Sequence, residues 1–289
     1  ERRPLPMATS EAWSSLISSS SSVVVPRAEA VDTRSFFAES PGILERGFER
    51  VTSCSSPHTP DALLFVGHYP PASAPFLTTF SAWEACSRRT VKRVIVLSPD
   101  HYQRLESGFA TTNLSYRVQE RIIPPNEALV ERLQMLGAVS STLFMREHGV
   151  GVPLALVETY WPHLDSVTAI VVSRKIDERD SRALARELRA FADEPDTLVV
   201  VSVDFSHGLL RDEAQAMDRE TRRALLEARR SFFWYAQDTH TDFGRGIWIL
   251  LTALADGGRV VLHQSFDAVD LGGEGTSITT FFTGWLTKD

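Results

Sequence analysis

Residues 198–207 read LVVVSVDFSH, in which the apolar run 198–201 passes directly into polar and ionisable residues. Three other runs share its continuously apolar character: 62–66 (ALLFV), 94–97 (VIVL) and 167–173 (VTAIVVS). Runs that are apolar throughout, rather than alternating with polar residues, are typical of strands that are covered on both faces of a sheet. The four runs therefore predict the central strands of the fold.

Helical segments are predicted between and after these strands. They cover 76–88, 126–136, 181–192 and 246–255. Ser181 is the predicted N-cap of the third segment, and Gly257 would end the fourth. Strands that alternate with helices indicate βαβ units. The predicted fold class is α/β, with a mainly parallel central sheet flanked by helices on both faces and late strands at 260–262 and 277–286.

Composition narrows the range of partners and domains. The chain has 289 residues, 43% of them hydrophobic, and a formal net charge of −7. We expect no nucleic-acid or membrane partner, because both favour basic patches and no apolar run approaches the roughly 18 residues of a membrane span. Residues 1–30, with the serine run 18–22, are expected to form a partly disordered N-terminal arm. Residues 31–289 are expected to form a single α/β domain.

The two cysteines, Cys54 and Cys86, indicate a reducing compartment. They form neither a CxxC motif nor the dense pattern of a disulfide framework. Disulfide bonds are rare in cytosolic proteins, where thiols stay reduced. We therefore predict no disulfide framework and a cytoplasmic location.

Histidines follow three of the predicted strands. His68 comes after the first, His101 after the second and His207 after the fourth. Ligands of open α/β sheets bind at the carboxyl ends of the strands, so three strand ends would bring three imidazoles to one rim. Taken alone, each histidine is more often a hydrogen-bonded loop residue than a ligand, and the neighbouring Asp100 and Asp204 can be turn caps.

The remaining histidines have a less informative context. His148, between Glu147 and Gly149, is predicted to lie in a loop. Four others are interpreted as surface or core residues: His58, His163, His240 and His263.

Four short motifs occur in order along the chain: Gly67-His68-Tyr69-Pro70, Ser98-Pro99-Asp100-His101, Glu147-His148-Gly149-Val150-Gly151 and Ser202-Val203-Asp204-Phe205-Ser206-His207. They resemble the Pro-His-Ala-Gly-Tyr, Gly-Pro-Ser-His, Glu-His-Ser-(Ile/Val)-Glu and Ser-Ser-Asp-Phe-Ser-His motifs of the Memo family, also called AmmeMemoRadiSam system protein B. The last motif matches nearly throughout, and the resemblance runs from about Phe36 to Leu286. It implies a fold similar to that of the class III extradiol dioxygenases.

The resemblance implies a mononuclear metal site with His68 and His101 as ligands. The family's usual third ligand is a cysteine, and Asp242 stands at that position here. Asp238 and His240 lie close enough in sequence to be alternatives. Two imidazoles and one carboxylate form the ligand set of non-haem Fe(II) oxygenases, so Fe(II) is the expected metal, with Cu or Zn as alternatives.

The resemblance also implies a chemistry. The leading prediction is an enzyme, a non-haem iron oxygenase or related oxidoreductase, whose small-molecule substrate chelates the metal through two oxygens. His207 is predicted as the general base, Asp204 as the residue that fixes its tautomer, and His148 as the acid or as a hydrogen-bond donor to oxygen. Gly149 and Gly151 replace the family's Ser and Glu, which predicts a different substrate.

Two other functions are consistent with the same residues. A non-catalytic protein could use the pocket to hold copper or iron, or to bind a peptide or partner protein. A Zn-dependent hydrolase would use the same ligands with His207 as base, although no HExxH or nucleophile-elbow motif supports it. Oxygen uptake separates the enzyme from the binding protein, and metal analysis separates the hydrolase from both.

Overall fold

The computed structural model describes residues 30–38, 42–45, 47–54, 56–140, 143–273 and 277–288. The strands over these residues are β1 (Val31–Asp32), β2 (Thr59–Val66), β3 (Arg93–Pro99), β4 (Phe109–Thr111), β5 (Tyr116–Val118), β6 (Arg121–Ile123), β7 (Val139–Ser140), β8 (Ser166–Val172), β9 (Thr197–Ser202), β10 (Phe205–Leu209), β11 (Val260–Asp267) and β12 (Ile278–Lys288). The predicted N-terminal arm, residues 1–30, lies outside the described residues except for Ala30.

The α-helices of the same residues are α1 (Ser73–Ser87), α2 (Glu127–Met135), α3 (His148–Tyr160), α4 (Glu178–Ala192), α5 (Arg211–Leu226), α6 (Arg230–Tyr235) and α7 (Gly244–Thr252). Short 3-10 helices lie at Thr33–Phe37, Ile43–Glu45, Pro70–Ala72, Leu143–Met145 and Val269–Leu271.

The four apolar runs lie side by side in the centre of one sheet. Its central strands have the order β2–β9–β3–β8, and every neighbouring pair among them is parallel. Apart from Ser173, which follows β8, each predicted run lies within one of these strands. The prediction of neighbouring parallel strands is confirmed.

Alternate residues of each central strand point into two different cores, which explains why the runs are apolar throughout. Leu64 and Val66 of β2 belong to the core that α1 and α3 cover. Leu63 and Phe65 belong to the opposite core, which α4 and α7 cover. Helices therefore lie on both faces of the sheet, as predicted.

The flanks of the sheet are antiparallel, which corrects the prediction of a mainly parallel sheet. β12 pairs with β2 in the antiparallel direction, and β10 and β11 both pair with β12 in the same way. On the other side β4 is antiparallel to β8, and β7 is parallel to β4. β11 and β12 follow each other without a crossover helix, and such strands pair antiparallel. The sheet is therefore mixed, and only its centre is parallel.

Two helix ends differ from the prediction. α4 is capped by Asp177, whose side chain accepts a hydrogen bond from the backbone N–H of Asp180, and the predicted cap Ser181 is buried inside the helix. Either side chain can cap, so the sequence alone could not place the first turn. α7 ends at Thr252, several residues before Gly257.

The segment around His148 is a helix start rather than the predicted loop. The side chain of Glu147 accepts a hydrogen bond from the backbone N–H of Gly149 and caps α3. Gly149 and Gly151 lower intrinsic helix propensity, which hid the helix in the sequence. Complete burial of most of its residues stabilises α3 in spite of these glycines.

Cys54 and Cys86 form a disulfide bond, which contradicts the expectation of reduced cysteines. Their Cα atoms lie 4.7 Å apart, because the segment before β2 crosses the last turn of α1. Tertiary packing brings the two together, and their sequence spacing carried no sign of it. Cysteine content therefore gives no support to a cytoplasmic location, which stays a prediction. In the part of the chain that the structure describes, no helix combines the length and hydrophobicity needed to cross a bilayer.

Candidate metal centre

The candidate site lies at the carboxyl ends of the parallel strands. His68 follows β2 and His101 follows β3, while His148 opens α3 and His207 lies in β10 after β9. Asp242 comes from the loop before α7. The structure brings all five side chains together, and the strand ends had predicted this for His68, His101 and His207.

Three donor atoms face one another at the spacing of metal ligands. The Nε2 atoms of His68 and His101 are 3.0 Å apart, and Asp242 Oδ2 lies 3.2 Å from the first and 3.3 Å from the second. Two ligands that bind one ion at about 2.0–2.1 Å lie about 3.0–3.4 Å from each other. These residues therefore fit a single metal ion.

Hydrogen bonds to the far side of each imidazole orient the two Nε2 atoms. His101 Nδ1 lies 2.5 Å from Glu147 Oε1, and His68 Nδ1 lies 3.0 Å from Ser202 Oγ. When Nδ1 carries the proton in each ring, Nε2 presents its lone pair to the centre. This arrangement is the one that metal-binding histidines usually have.

Glu147 is a site residue that the sequence reasoning did not assign. Its side chain is fully buried, caps α3 and also accepts a hydrogen bond from the backbone N–H of His101. A buried carboxylate is rare without a partner, and His101 supplies that partner. The available signal was its position directly before His148 in the third motif.

His148 lies against the other two imidazoles. Its ring centroid is 4.1 Å from that of His101 and 5.2 Å from that of His68. The ligand atoms of the three histidines lie within 4.8 Å of one another, so this cluster could hold a metal. Burial and the nearby His68 and His101 lower the pKa of His148 to about 3, which keeps this imidazole neutral.

Buried carboxylates favour positive charge on the centre. Burial alone would lower the pKa of His101, but hydrogen bonds that its ring donates to the carboxylates of Asp242 and Glu147 raise it to about 10. Burial also lowers the pKa of His68, but the charges of Asp204 and Asp242 outweigh it and raise that pKa. Burial also opposes ionisation of Asp242, yet the two imidazoles hold its pKa well below the usual value. Either protons or a metal ion can supply the positive charge that this cluster favours.

Asp242 is fixed by the strand end that carries Asp204. The backbone N–H of Asp204 donates to Asp242 Oδ1 over 3.0 Å, and the backbone N–H of Asp242 donates to the carbonyl of Asp204 over 3.2 Å. Thr241 Oγ1 donates to the same carbonyl. These bonds leave Asp242 Oδ2 directed at the two imidazoles.

Asp204 and His207 are not hydrogen-bonded to each other in the described chain. The side chain of Asp204 accepts a hydrogen bond from the backbone N–H of His68. His207 Nε2 lies 4.0 Å from Asp242 Oδ2 and has no hydrogen-bond partner in the described chain. The tautomer-fixing role of Asp204 stays a prediction.

The two alternatives to Asp242 point elsewhere. Asp238 is exposed and forms an ion pair with Arg174. His240 lies 3.5 Å from Glu220, and its ring stacks edge-on against Phe232. Neither contacts the cluster.

Both glycine departures in the third motif are explained by close packing. A Cβ atom at Gly149 would come within 2.9 Å of the His101 ring and closer still to Ser98 Oγ. A Cβ atom at Gly151 would overlap the ring of Phe36. The side chain of Phe36 thus occupies space that a larger residue at 151 would need.

Comparisons with known proteins identify a family for the chain. A family model described as Memo-like protein matches residues 35–256. No curated protein matches the chain. Among solved structures, uncharacterized protein JW3007 from Escherichia coli K12 has a TM-score of 0.48 at 14% identity, covering 77% of this chain and 98% of its own.

Proposed function

This chain belongs to the Memo-like family, and we propose that it is a metal-dependent oxidoreductase with a mononuclear non-haem Fe(II) site. His68, His101 and Asp242 are the proposed ligands. The proposal rests on one observation, the three donor atoms 3.0–3.3 Å apart. Two histidines and one carboxylate are the facial set of Fe(II) oxygenases.

The surrounding residues suit work on a small substrate. Fe(II), when bound, would supply open positions for O₂ and for a substrate that chelates through two oxygens. His207, whose Nε2 has no partner in the described chain, is the proposed acceptor of the substrate hydroxyl proton. His148, which is neutral and partly exposed, is the proposed hydrogen-bond donor to a substrate oxygen, a role that a neutral imidazole can fill.

A second candidate is metal binding without turnover. The three-histidine cluster favours it, since neutral imidazoles suit copper and zinc as well as iron. In that case His148 would be a ligand rather than a hydrogen-bond donor to substrate. The same pocket would serve a metal-handling or peptide-binding protein.

Metal analysis followed by oxygen uptake tests the proposal. Protein purified without oxygen should contain one iron per chain, or accept one Fe(II), and should consume O₂ when a catechol is added. His207→Ala should bind the same amount of iron and consume no O₂. A protein that binds one metal ion and consumes no O₂ with any of a panel of catechols would favour the second candidate. Zinc in place of iron, with ester or amide hydrolysis, would favour a hydrolase.

A further inference from the structure

A cavity of about 620 Å³ adjoins the segment that carries Asp242. This volume lies within the range of about 300–1,000 Å³ that is usual for small-molecule sites. Thr241 and Asp242 form part of its wall, whereas the four histidines of the metal centre do not line it. Four of its other lining residues are aromatic, namely Phe233, Trp234, Tyr235 and Phe243. Asp238 also lines it, and its carboxylate is paired with Arg174.

Arg245 brings an unneutralised positive charge to this cavity. It lies in the first turn of α7, and its guanidinium carbon is 3.4 Å from the centre of the Trp234 ring. One N–H group donates to the backbone carbonyl of Trp234, and no carboxylate of the described chain lies within 4.0 Å of the guanidinium. Because a guanidinium has five N–H donors, most of them remain available.

Other arginines near the cavity are neutralised. Arg174, which also lines it, forms an ion pair with Asp238 at 2.7 Å. Arg182 also lies over a tryptophan ring, 5.5 Å from the centre of Trp248, but it pairs with Glu178. Arg245 therefore combines partial burial, a fixed orientation and a missing counter-charge. Burial lowers the pKa of Arg245.

We propose that this cavity binds a small planar organic carboxylate, with its carboxylate on Arg245 and its flat body against the aromatic walls. A guanidinium matches a carboxylate through two parallel hydrogen bonds, which makes Arg the preferred residue for such recognition. Aromatic side chains provide flat apolar contact for a planar ligand. The site needs no metal, so its test is independent of the proposed oxidoreductase function.

Isothermal titration of benzoate into metal-free full-length protein tests the proposal. Benzamide, which has the same shape and no charge, serves as the matched ligand. Benzoate should bind at one site per chain, and benzamide should bind at least about tenfold more weakly. Arg245→Gln should weaken benzoate binding by about 10- to 100-fold and leave the two ligands nearly equal.

Three further variants identify the binding residue. Arg245→Lys keeps a charge without the planar fork, so it should still prefer benzoate to benzamide, less strongly than the parent. Arg182→Gln should leave benzoate affinity unchanged, and His101→Ala tests whether the imidazole cluster binds the anion instead. Thermal melting of each variant checks that it is folded, and the lysine variant decides the test if Arg245→Gln does not fold.

Several results would overturn the proposal. They are the absence of benzoate binding at millimolar concentration, equal binding of benzamide, and no preference for benzoate in Arg245→Lys. Loss of benzoate binding in His101→Ala but not in Arg245→Gln would assign the anion to the imidazole cluster instead.

Discussion

Two buried aspartates lie at opposite ends of β2 and its neighbours. Asp61, near the start of β2, is fully buried and forms an ion pair with Arg189, whose Nη2 donates to Oδ1 over 3.0 Å. Asp242, at the other end, has its Oδ2 between two imidazole nitrogens. Both carboxylates avoid the cost of an isolated buried charge, but their partners differ in kind.

The Asp61–Arg189 ion pair is fixed, whereas the partners of Asp242 can exchange protons for a metal ion. A guanidinium neither loses its proton nor binds a metal, so the Asp61–Arg189 pair has a single state. An imidazole can carry a proton or donate a lone pair to a metal, so the Asp242 cluster has at least two. The first end of the sheet should therefore govern stability, and the second should govern ligand affinity.

Removal of Arg189, the partner of Asp61, should have the largest effect on stability. Arg189→Met leaves Asp61 buried without its main partner, and should lower the free energy of unfolding by about 3 kcal/mol. Metal affinity should not change. Urea unfolding measures the loss, and the control Arg182→Met breaks an exposed pair on the same helix and should cost less than about 0.5 kcal/mol. Equal losses in the two variants would contradict the assigned role of Asp61.

Removal of the Asp242 carboxylate should act on metal affinity. Asp242→Ala should reduce it more than 100-fold, beyond the loss usual for residues that only orient a ligand. Asp242→Cys should restore binding with a preference for softer metals such as Cu(I) or Zn. Metal stoichiometry and affinity after anaerobic loading measure both effects. Asp242→Ala with the affinity of the parent would show that another residue, such as His148, completes the set.

The orientation of His101 should matter less than the ligands themselves. Glu147→Gln removes the charge that holds His101 Nδ1–H, and should lower metal affinity by about 10- to 100-fold. Glu84→Gln is a suitable control, since Glu84 accepts hydrogen bonds from Tyr160 and Trp161 far from the centre. Similar losses in both variants would indicate a general effect on folding.

Asp218, a half-buried carboxylate, should give the smallest effect, through pH. Burial raises the pKa of Asp218, whose described partners are the hydroxyls of Ser206 and Thr280. The stability that Asp218 contributes is fully present below its pKa in the unfolded chain, about 3.9. It is lost as the pH rises through the higher pKa of the folded protein. Asp218→Asn should gain stability relative to the parent across this rise.

Unfolding measurements at several pH values test this sign. Asp193→Asn should show the opposite trend, because Lys288 and Arg189 outweigh burial and lower the pKa of Asp193. Its deficit relative to the parent should shrink as pH falls. Parallel pH curves for Asp218→Asn and the parent would contradict the argument.

The centre of the fold was predictable because its physical signal is local. Continuously apolar runs report burial on both faces, and they gave β2, β3, β8 and β9 with their neighbours. Strand direction at the flanks depends on contacts between distant segments, such as Trp285 with Leu64, and no local pattern encodes it. The Cys54–Cys86 bond was missed for the same reason.

The site followed the same division. His68 and His101 were found because strand ends converge, and motif resemblance added Asp242. Glu147 was missed because its roles, capping α3 and holding His101, require the helix that the glycines concealed. The cavity at Arg245 had no sequence signal, since an arginine without a counter-charge is recognisable only in three dimensions.

The position of β12 in the sheet has a consequence for biosynthesis. β12 pairs with one edge of β2, although the ribosome makes β2 long before it makes β12. At roughly 5–20 residues per second, that edge stays unpaired for about ten seconds or more. An unpaired apolar strand edge is a template for aggregation. The nascent chain is therefore most in need of a chaperone at β2, the strand that leads directly to His68.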